Sequence, residues 1–314
     1  MKKIFGISLA LFAAFAVVFF AFRPLSETEA VQENIATQVD TQAFEGEHAG
    51  PPVTGSNTST TAEAVAPCPD EADAPAEPHD WLTYFKKGQR SYSDGDYAQA
   101  CRSFGRAIEE NGDNYYLHYM LALSYWKDGR PERAAGPLNR SLELKPSFVK
   151  AWVNLARVRR ELGDPQEAIA LCEKAIGIDE ASGDAWNVSG LAHLDNGNRE
   201  KAIDCFTNSI TIDAENPFAL NNLGLAYIYE ERFEEALLPL EEAIEIAPGV
   251  AFIRNNLGVV YERLGRAADA ARQYAATMDT ESGHSKAEQS LKRVLPLLTV
   301  DEEATLAEFY QIEE

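Results

Sequence analysis

The chain has 314 residues and a formal net charge of −22 at pH 7. Most of this negative charge lies near the ends, because residues 24–80 contain 12 acidic residues and residues 301–314 contain 6, with no Lys or Arg in either stretch. The 25 basic and 32 acidic residues from 81 to 300 form no basic stripe of the size that a phosphate backbone requires, so nucleic acid is excluded as the expected partner.

Residues 1–23 are predicted to be a signal anchor or a signal peptide. Lys2 and Lys3 precede nineteen uncharged residues, 4–22, a length that spans a bilayer core, whereas the apolar region of a cleaved signal is shorter. The stretch Ala14-Phe15-Ala16 is similar to a cleavage site, so cleavage stays open. The lysines outweigh Arg23, which predicts that the repeat domain lies in the periplasm or exterior, either membrane-anchored or secreted after cleavage.

Residues 24–80 are predicted to be a disordered linker. They are rich in Ala, Glu, Thr, Ser and Pro, a composition that buries too little apolar surface to offset chain entropy. Like charges favour an extended chain, so the linker is expected to hold the following domain away from the bilayer.

From residue 81 the sequence repeats with a fixed step of thirty-four residues, without insertion or deletion. The predicted units are 81–114, 115–148, 149–182, 183–216, 217–250 and 251–284. One column holds only small residues: Gly88, Ala122, Ala156, Gly190, Gly224 and Gly258. A second is Gly95, Gly129, Gly163, Gly197, Glu231 and Gly265. A third is Ala100, Ala134, Ala168, Ala202, Ala236 and Ala270. A large column is Phe104, Leu138, Cys172, Phe206, Leu240 and Tyr274.

Each column has a physical reason. The first and third are small because two closely crossing helices leave no room for a longer side chain, and the large column fills the space between helices. The second is mostly Gly because a helix ends there and the chain enters a left-handed conformation. Helix-start signals follow it, such as Asp96 with Gln99 and the run Asp164-Pro165-Gln166-Glu167. Each unit is therefore predicted to be two antiparallel helices joined by a tight turn.

This pattern resembles the tetratricopeptide repeat, whose period, small columns and Pro after the second helix (here Pro146 and Pro248) are matched. The resemblance implies an all-α superhelical solenoid of six helix pairs, with first helices on a concave side that binds peptides. The sequence departs from the family pattern at five positions: Lys87, Ser189, Glu231, Pro137 and Pro239. The two prolines lie inside predicted second helices, where we expect local kinks.

Residues 285–314 are predicted to be a capping helix and an acidic tail. A helix from Ser285 to Leu298 has a polar outer face, which suits the last unit of a solenoid because no neighbour covers it. A short amphipathic segment over 299–310 is expected to dock back through Leu306, Phe309 and Tyr310, or else to engage another protein.

Asparagines recur on the first helices in two adjacent columns. One column contains Asn154, Asn222 and Asn256, and the next contains Asn187, Asn221 and Asn255. An amide offers a donor and an acceptor, so a row of them is able to pair with a peptide backbone, and the row resembles the asparagine ladder of some peptide-binding members of the family. The alternative is that these are ordinary polar residues facing solvent.

A basic stripe is predicted on the third unit's first helix, which contains Lys150, Arg157, Arg159 and Arg160. Lys150, Asn154 and Arg157 are spaced along one helical face, suited to a carboxylate from a partner's C-terminus or acidic side chains. Neutralisation by Glu161, Glu167 and neighbouring acidic residues is the alternative.

Several aromatic residues fall on columns that face the predicted groove: Tyr116, Trp126, Phe218, Tyr229 and Phe252. Those that prove exposed are candidate binding anchors, and the others are packing residues.

Catalysis and cofactors find no support in the sequence. The histidines do not cluster with Ser, Cys or Asp in a nucleophile pattern, and no Gly-rich phosphate loop or H-E-x-x-H motif occurs. The four cysteines, Cys68, Cys101, Cys172 and Cys205, show no metal-ligand spacing and are interpreted as free thiols, with a bridge between Cys68 and Cys101 left open. No metal and no cofactor are predicted.

The sequence therefore predicts a non-catalytic scaffold, attached to a membrane by its N-terminal helix, that binds protein or peptide partners. The alternative is a structural subunit of an envelope assembly machine, such as a pilus, secretion or cytochrome maturation complex. The oligomeric state is not predicted.

Overall fold

The computed structural model describes residues 80–278 and 284–302, all of which belong to one compact unit. Within these residues the regular structure is helical, without a strand. The predicted anchor, nearly all of the predicted linker and the tail from 303 onward lie outside the described residues. No helix in the described part of the chain has the length and apolar character needed to cross a membrane.

Helices of two kinds alternate along the chain. The first helices are α1 (Trp81–Ser93), α3 (Tyr115–Lys127), α5 (Val149–Glu161), α7 (Gly183–Asp195), α9 (Pro217–Tyr229) and α11 (Ala251–Arg263). The second helices are α2 (Tyr97–Glu110), α4 (Pro131–Leu144), α6 (Pro165–Ile178), α8 (Arg199–Ile212), α10 (Phe233–Ile246) and α12 (Ala267–Met278). A final helix, α13 (His284–Val294), precedes a short 3-10 helix, Leu295–Leu297.

Each helix packs on the next one along the chain, and the first helices α5, α7, α9 and α11 also contact one another in sequence. This arrangement confirms the predicted solenoid of helix pairs. The exact boundaries of the thirty-four-residue units stay a prediction.

The tight turn between the two helices of a pair has the expected glycine conformation. Gly95, Gly129, Gly163, Gly197 and Gly265 all have φ between 72° and 82°. In each turn the backbone N–H of the residue after the glycine donates to a carbonyl in the last turn of the first helix. Asp164 N, for example, donates to Arg159 O at 2.9 Å. This bond satisfies a carbonyl at the end of the first helix, as in a Schellman motif. The predicted caps are also confirmed, because Asp96 accepts from Gln99 N and Asp164 accepts from Glu167 N.

Glu231 occupies the glycine position of the fifth turn and adopts the same left-handed conformation, with φ of 56°. Replacing Glu231 with glycine is therefore expected to stabilise the fold by about 1 kcal/mol, because a side chain in this region is strained by that order. Chemical denaturation of Glu231→Gly measures the gain. Glu230, whose φ is an ordinary −90°, supplies the control: Glu230→Gly should give no gain, and equal gains in both variants would contradict the strain.

The core is built by the small and large columns together. An added Cβ at Gly190 would lie 2.5 Å from Phe206 Cε1, and one at Gly258 would lie 2.5 Å from Tyr274 Cε1. Where the large column holds Leu138 or Cys172, the small column holds alanine instead of glycine. All members of the large column are buried. The two columns are therefore matched in size within most units, although Gly224 faces Leu240.

Neither internal proline ends its helix, and the expected local kinks stay a prediction. Helices α4 and α10 run through Pro137 and Pro239 with the same fourteen-residue length as α2, α6 and α8, and both prolines are buried. Ser189 is buried and accepts from Cys205 Sγ at 3.6 Å.

The C-terminal helix is shorter than predicted. Its α-helical part ends at Val294, and the 3-10 helix that follows contains Pro296. Proline has no amide hydrogen and disfavours α-helical geometry in the residue before it, so the predicted continuation to Leu298 was wrong.

Candidate functional site

Most of the predicted asparagine site lies inside the seam between first helices. Asn154, Asn187, Asn221 and Asn222 are buried, whereas Asn255 and Asn256 are half-buried. The interpretation of the buried four as solvent-facing polar residues was therefore wrong. Contact of these amides with a peptide stays a prediction.

The amides form a hydrogen-bonded chain across three helices. Asn256 Nδ2 of α11 donates to Asn221 Oδ1 of α9 at 2.8 Å. Within α9, Asn221 Nδ2 donates to Asn222 Oδ1 at 3.4 Å. Asn222 Nδ2 then donates to Asn187 Oδ1 of α7 at 3.0 Å. Hydrogen bonds between buried amides hold neighbouring first helices in one register, because an unpaired polar group there would be costly.

Bonds of this kind between helices join residues 35 positions apart. The same offset joins Asn154 Nδ2 to Tyr119 Oη at 3.0 Å, at the contact between α5 and α3. It also relates Val153 to Val188, which are both apolar and buried. Equivalent residues of successive units are 34 positions apart. A residue on one first helix faces the residue that follows its equivalent on the next first helix, which makes the offset 35. Along this seam, therefore, polar residues face polar residues and apolar residues face apolar residues.

The sequence-based interpretation missed Tyr119 as the partner of Asn154. Comparing the polarity of residues 35 positions apart would have found this partner. Aligning the repeats compares only residues that are 34 positions apart.

The basic stripe contains ion pairs that connect α5 to α7. Arg157, whose side chain is 15% exposed, donates to Asn154 Oδ1 at 2.9 Å and to Asp184 Oδ1 at 3.2 Å. Arg160 Nε donates to Asp195 Oδ2 at 2.5 Å. The partners Asp184 and Asp195 lie on the following first helix.

The alternative of neutralisation by acidic residues is confirmed for Arg157, Arg159 and Arg160, which pair with Asp184, Glu167 and Asp195. Glu167 pairs with Arg159 at 3.0 Å, and Glu161 accepts from Trp126 Nε1 at 2.5 Å. Lys150 is exposed at the N-terminal end of the stripe. A ligand carboxylate would have to replace Asp184 and Asp195 to pair with the guanidinium groups of Arg157 and Arg160, whose side chains are 15% and 26% exposed.

Aromatic residues of the first helices α9 and α11 supply an apolar surface. The rings of Phe218 and Phe252 are stacked with centroids 6.3 Å apart, and both residues are half-buried. Tyr229 is 43% exposed. Tyr116, by contrast, is buried and is a packing residue, while Trp126 is half-buried. Tyr229, Phe218 and Phe252 are therefore the aromatic residues best placed to anchor a partner among those predicted.

Six side chains make up what we call the first-helix surface: Lys150, Arg157, Arg160, Phe218, Tyr229 and Phe252. Its first three members, on α5, are basic, and its last three, on α9 and α11, are aromatic. A ligand along this surface would meet a cationic part and an apolar part.

The cysteines of the described chain do not suit nucleophilic chemistry. Cys101, Cys172 and Cys205 are free and buried. Burial raises the pKa of the Cys172 thiol to about 12, which keeps it protonated near neutral pH. Among the described residues, no group of His, Cys, Asp and Glu has a geometry that would hold a metal ion.

Comparison with known proteins supports the fold. The family model described as "Tetratricopeptide repeat" matches residues 85–147, 119–185 and 187–251, which together make up more than half of the chain. The Photosystem I assembly protein Ycf3 of Rippkaea orientalis is 30% identical over 104 residues, covering 30% of this chain and 60% of that protein. The co-chaperone DNJ1 of Fusarium oxysporum is 33% identical over 104 residues, covering 33% of this chain and 19% of that protein.

Solved structures share the architecture at lower identity. The Cut9-Hcn1 hetero-tetramer of the APC/C has a TM-score of 0.62 and 17% identity, covering 69% of this chain and 43% of that chain. The pilF protein of Pseudomonas aeruginosa has a TM-score of 0.55 and 20% identity, covering 62% of this chain and 88% of that chain. At these identities the likeness shows the fold alone. With its paired helices, left-handed turns and matched family model, the chain belongs to the tetratricopeptide repeat family.

Proposed function

We propose that this protein is a non-catalytic scaffold that binds peptide or protein partners along the first-helix surface. The observation that carries the proposal is the division of that surface into a basic part on α5 and an aromatic part on α9 and α11. A partner that suits both parts has acidic side chains or a C-terminal carboxylate next to an apolar segment. Two relatives are named as an assembly protein and a co-chaperone, and both names describe work on other proteins, which supports this class of function.

The basic part makes a specific prediction. Reversing the charge of Lys150 and Arg157 is expected to weaken capture of an acidic peptide by about tenfold or more, because attraction at two positions becomes repulsion. Fluorescence anisotropy with an acidic peptide that ends in aromatic residues measures the change in Kd.

A matched variant separates this effect from that of a change in the protein's net charge. Lys174 and Lys201 are exposed cations of second helices, so Lys174→Glu with Lys201→Glu gives the same change in net charge away from the first-helix surface. Equal weakening in both double variants, or none in either, would contradict binding at the basic part.

The second element of the proposal is location. We infer a membrane tether in residues 1–23 with the repeat domain outside the cytoplasm, on the basis of the uncharged run 4–22 and the preceding Lys2 and Lys3. Alkaline extraction of membranes tests it: the chain should stay with the membrane pellet, whereas release into the supernatant would argue for cleavage or no anchor.

A further inference from the structure

Helix α1, which begins the solenoid, has an exposed polar face. The equivalent face of every later first helix is buried. The exposed face of α1 contains Thr83, Lys86, Lys87 and Arg90, all of them exposed. We call these four residues the basic end face. The residues equivalent to Thr83 are Leu117, Ala151, Ala185, Ala219 and Ile253. Those equivalent to Lys87 are Leu121, Leu155, Ser189, Leu223 and Leu257. Those equivalent to Arg90 are Ser124, Val158, Ala192, Ala226 and Val260. Every residue in these three sets is buried.

The cause is the position of α1 at the start of the stack. Each later first helix packs on the second helix before it, as α3 does on α2 and α5 does on α4. In the described part of the chain no helix precedes α1, and its equivalent face is exposed. The departure of Lys87 from the family pattern is explained in this way, because an uncovered leucine there would be exposed to water.

The end face is positively charged. Lys86, Lys87 and Arg90 contribute three positive charges on one helix, and none of the three forms a salt bridge with a described residue. Two exposed cations of second helices, Arg106 and Arg140, have acidic partners one turn away. The end face is therefore a cationic surface without a counter-charge among the described residues.

The chain itself supplies an acidic segment at this place. Residues 49–80 contain six acidic residues and no Lys or Arg, and they join α1 directly at its N-terminus. Helix α1 has thirteen residues and is about 20 Å long, a distance that a short part of this segment spans. Covalent linkage gives the segment an effective concentration in the millimolar range, so weak ionic contacts are sufficient to hold it.

We propose that the acidic segment 49–79 docks in cis on the basic end face and covers the open end of the solenoid. The contact is ionic and multivalent, so high salt weakens it. It does not rest on partner binding at the first-helix surface, which lies on other helices. An anionic lipid headgroup has similar chemistry, but a lipid surface would have to displace an acidic segment that is already attached beside the end face.

Cys68 gives a direct test, because it lies within the acidic segment while Cys101, Cys172 and Cys205 are buried. The full chain, reduced and placed in nanodiscs of neutral phosphatidylcholine, is labelled at Cys68 with benzophenone maleimide and irradiated. Mass spectrometry then maps the crosslinked peptides. We expect crosslinks concentrated in 81–93, reduced about tenfold in Lys86→Glu/Lys87→Glu/Arg90→Glu and also reduced in 1 M salt.

A control variant keeps the same change in net charge. Arg102→Glu/Lys174→Glu/Lys201→Glu reverses three exposed cations of second helices and should leave the crosslinks to 81–93 in place. Far-UV circular dichroism checks that both triple variants are folded. The proposal is overturned by crosslinks spread evenly along the solenoid, or by crosslinks to 81–93 that survive the reversal at the end face. It is also overturned if anionic lipid in the disc abolishes the crosslinks to 81–93, which would make the membrane the occupant.

Discussion

Replacing Gly190 with alanine is expected to destabilise the solenoid by about 1–3 kcal/mol, the usual cost of overpacking a core. The added methyl group would lie 2.5 Å from Phe206 Cε1 and 2.7 Å from Phe206 Cδ1, both far inside van der Waals contact. Phe206 is fully buried, so its ring has no free space into which it can move. Urea denaturation followed by circular dichroism measures the loss in the free energy of unfolding.

The control is another helical glycine. Gly177 lies within α6 with no atom within 4 Å of an added Cβ, so Gly177→Ala should stabilise the helix by about 0.5–1 kcal/mol. A companion variant tests the size rule itself. Ala122 with Leu138 is a natural pair in the second unit, so Phe206→Leu should recover part of the stability lost in Gly190→Ala. Equal stability of Gly190→Ala and the wild-type chain would contradict the close approach.

Replacing Asn187 or Asn222 singly with valine is expected to destabilise the fold by about 1–3 kcal/mol. Asn187→Val leaves the buried Asn222 Nδ2 without its acceptor, and Asn222→Val leaves Asn187 Oδ1 without its donor. Neither side chain reaches solvent to recover a partner, since both are buried. The physical cause is the desolvation penalty of the orphaned amide rather than the loss of the bond alone.

Changing both residues together should cost less than the sum of the single changes. The preceding pair of first helices already places Val153 and Val188 at the equivalent positions, so an apolar pair fits this seam. We expect a coupling free energy of about 1 kcal/mol or more in a double-mutant cycle. Strict additivity of the two single effects would show that the amides do not depend on one another.

The sequence was sufficient to predict the solenoid because its strongest signals are local. The step of thirty-four residues, the glycines of the turns and caps such as Asp96 each depend on a few neighbouring residues. Even the departure at Glu231 kept the predicted left-handed turn. The shortened C-terminal helix was missed because Pro296 was not weighed against the helical pattern.

The candidate site was less predictable because it depends on contacts between units. Asn222 was correctly placed on a first helix, but its burial depends on Asn187 of the helix before it, at an offset that columns do not display. The partners of Arg157 and Arg160 were similarly missed, since Asp184 and Asp195 lie on the next first helix. Lys87 was recognised as a departure, but the column alone does not show that this position is exposed on α1 and buried on the later first helices.

The central claim is that partners bind on the first helices, and photocrosslinking from two positions tests it most directly. A photoreactive residue is placed at Tyr229, 43% exposed on α9, or at Leu238, 64% exposed on the second helix α10 of the same pair. Irradiation of the full chain in its native membranes should join a discrete partner to the protein from position 229 and not from position 238. Crosslinking of the same partner from position 238 alone, or equally from both, would contradict the account.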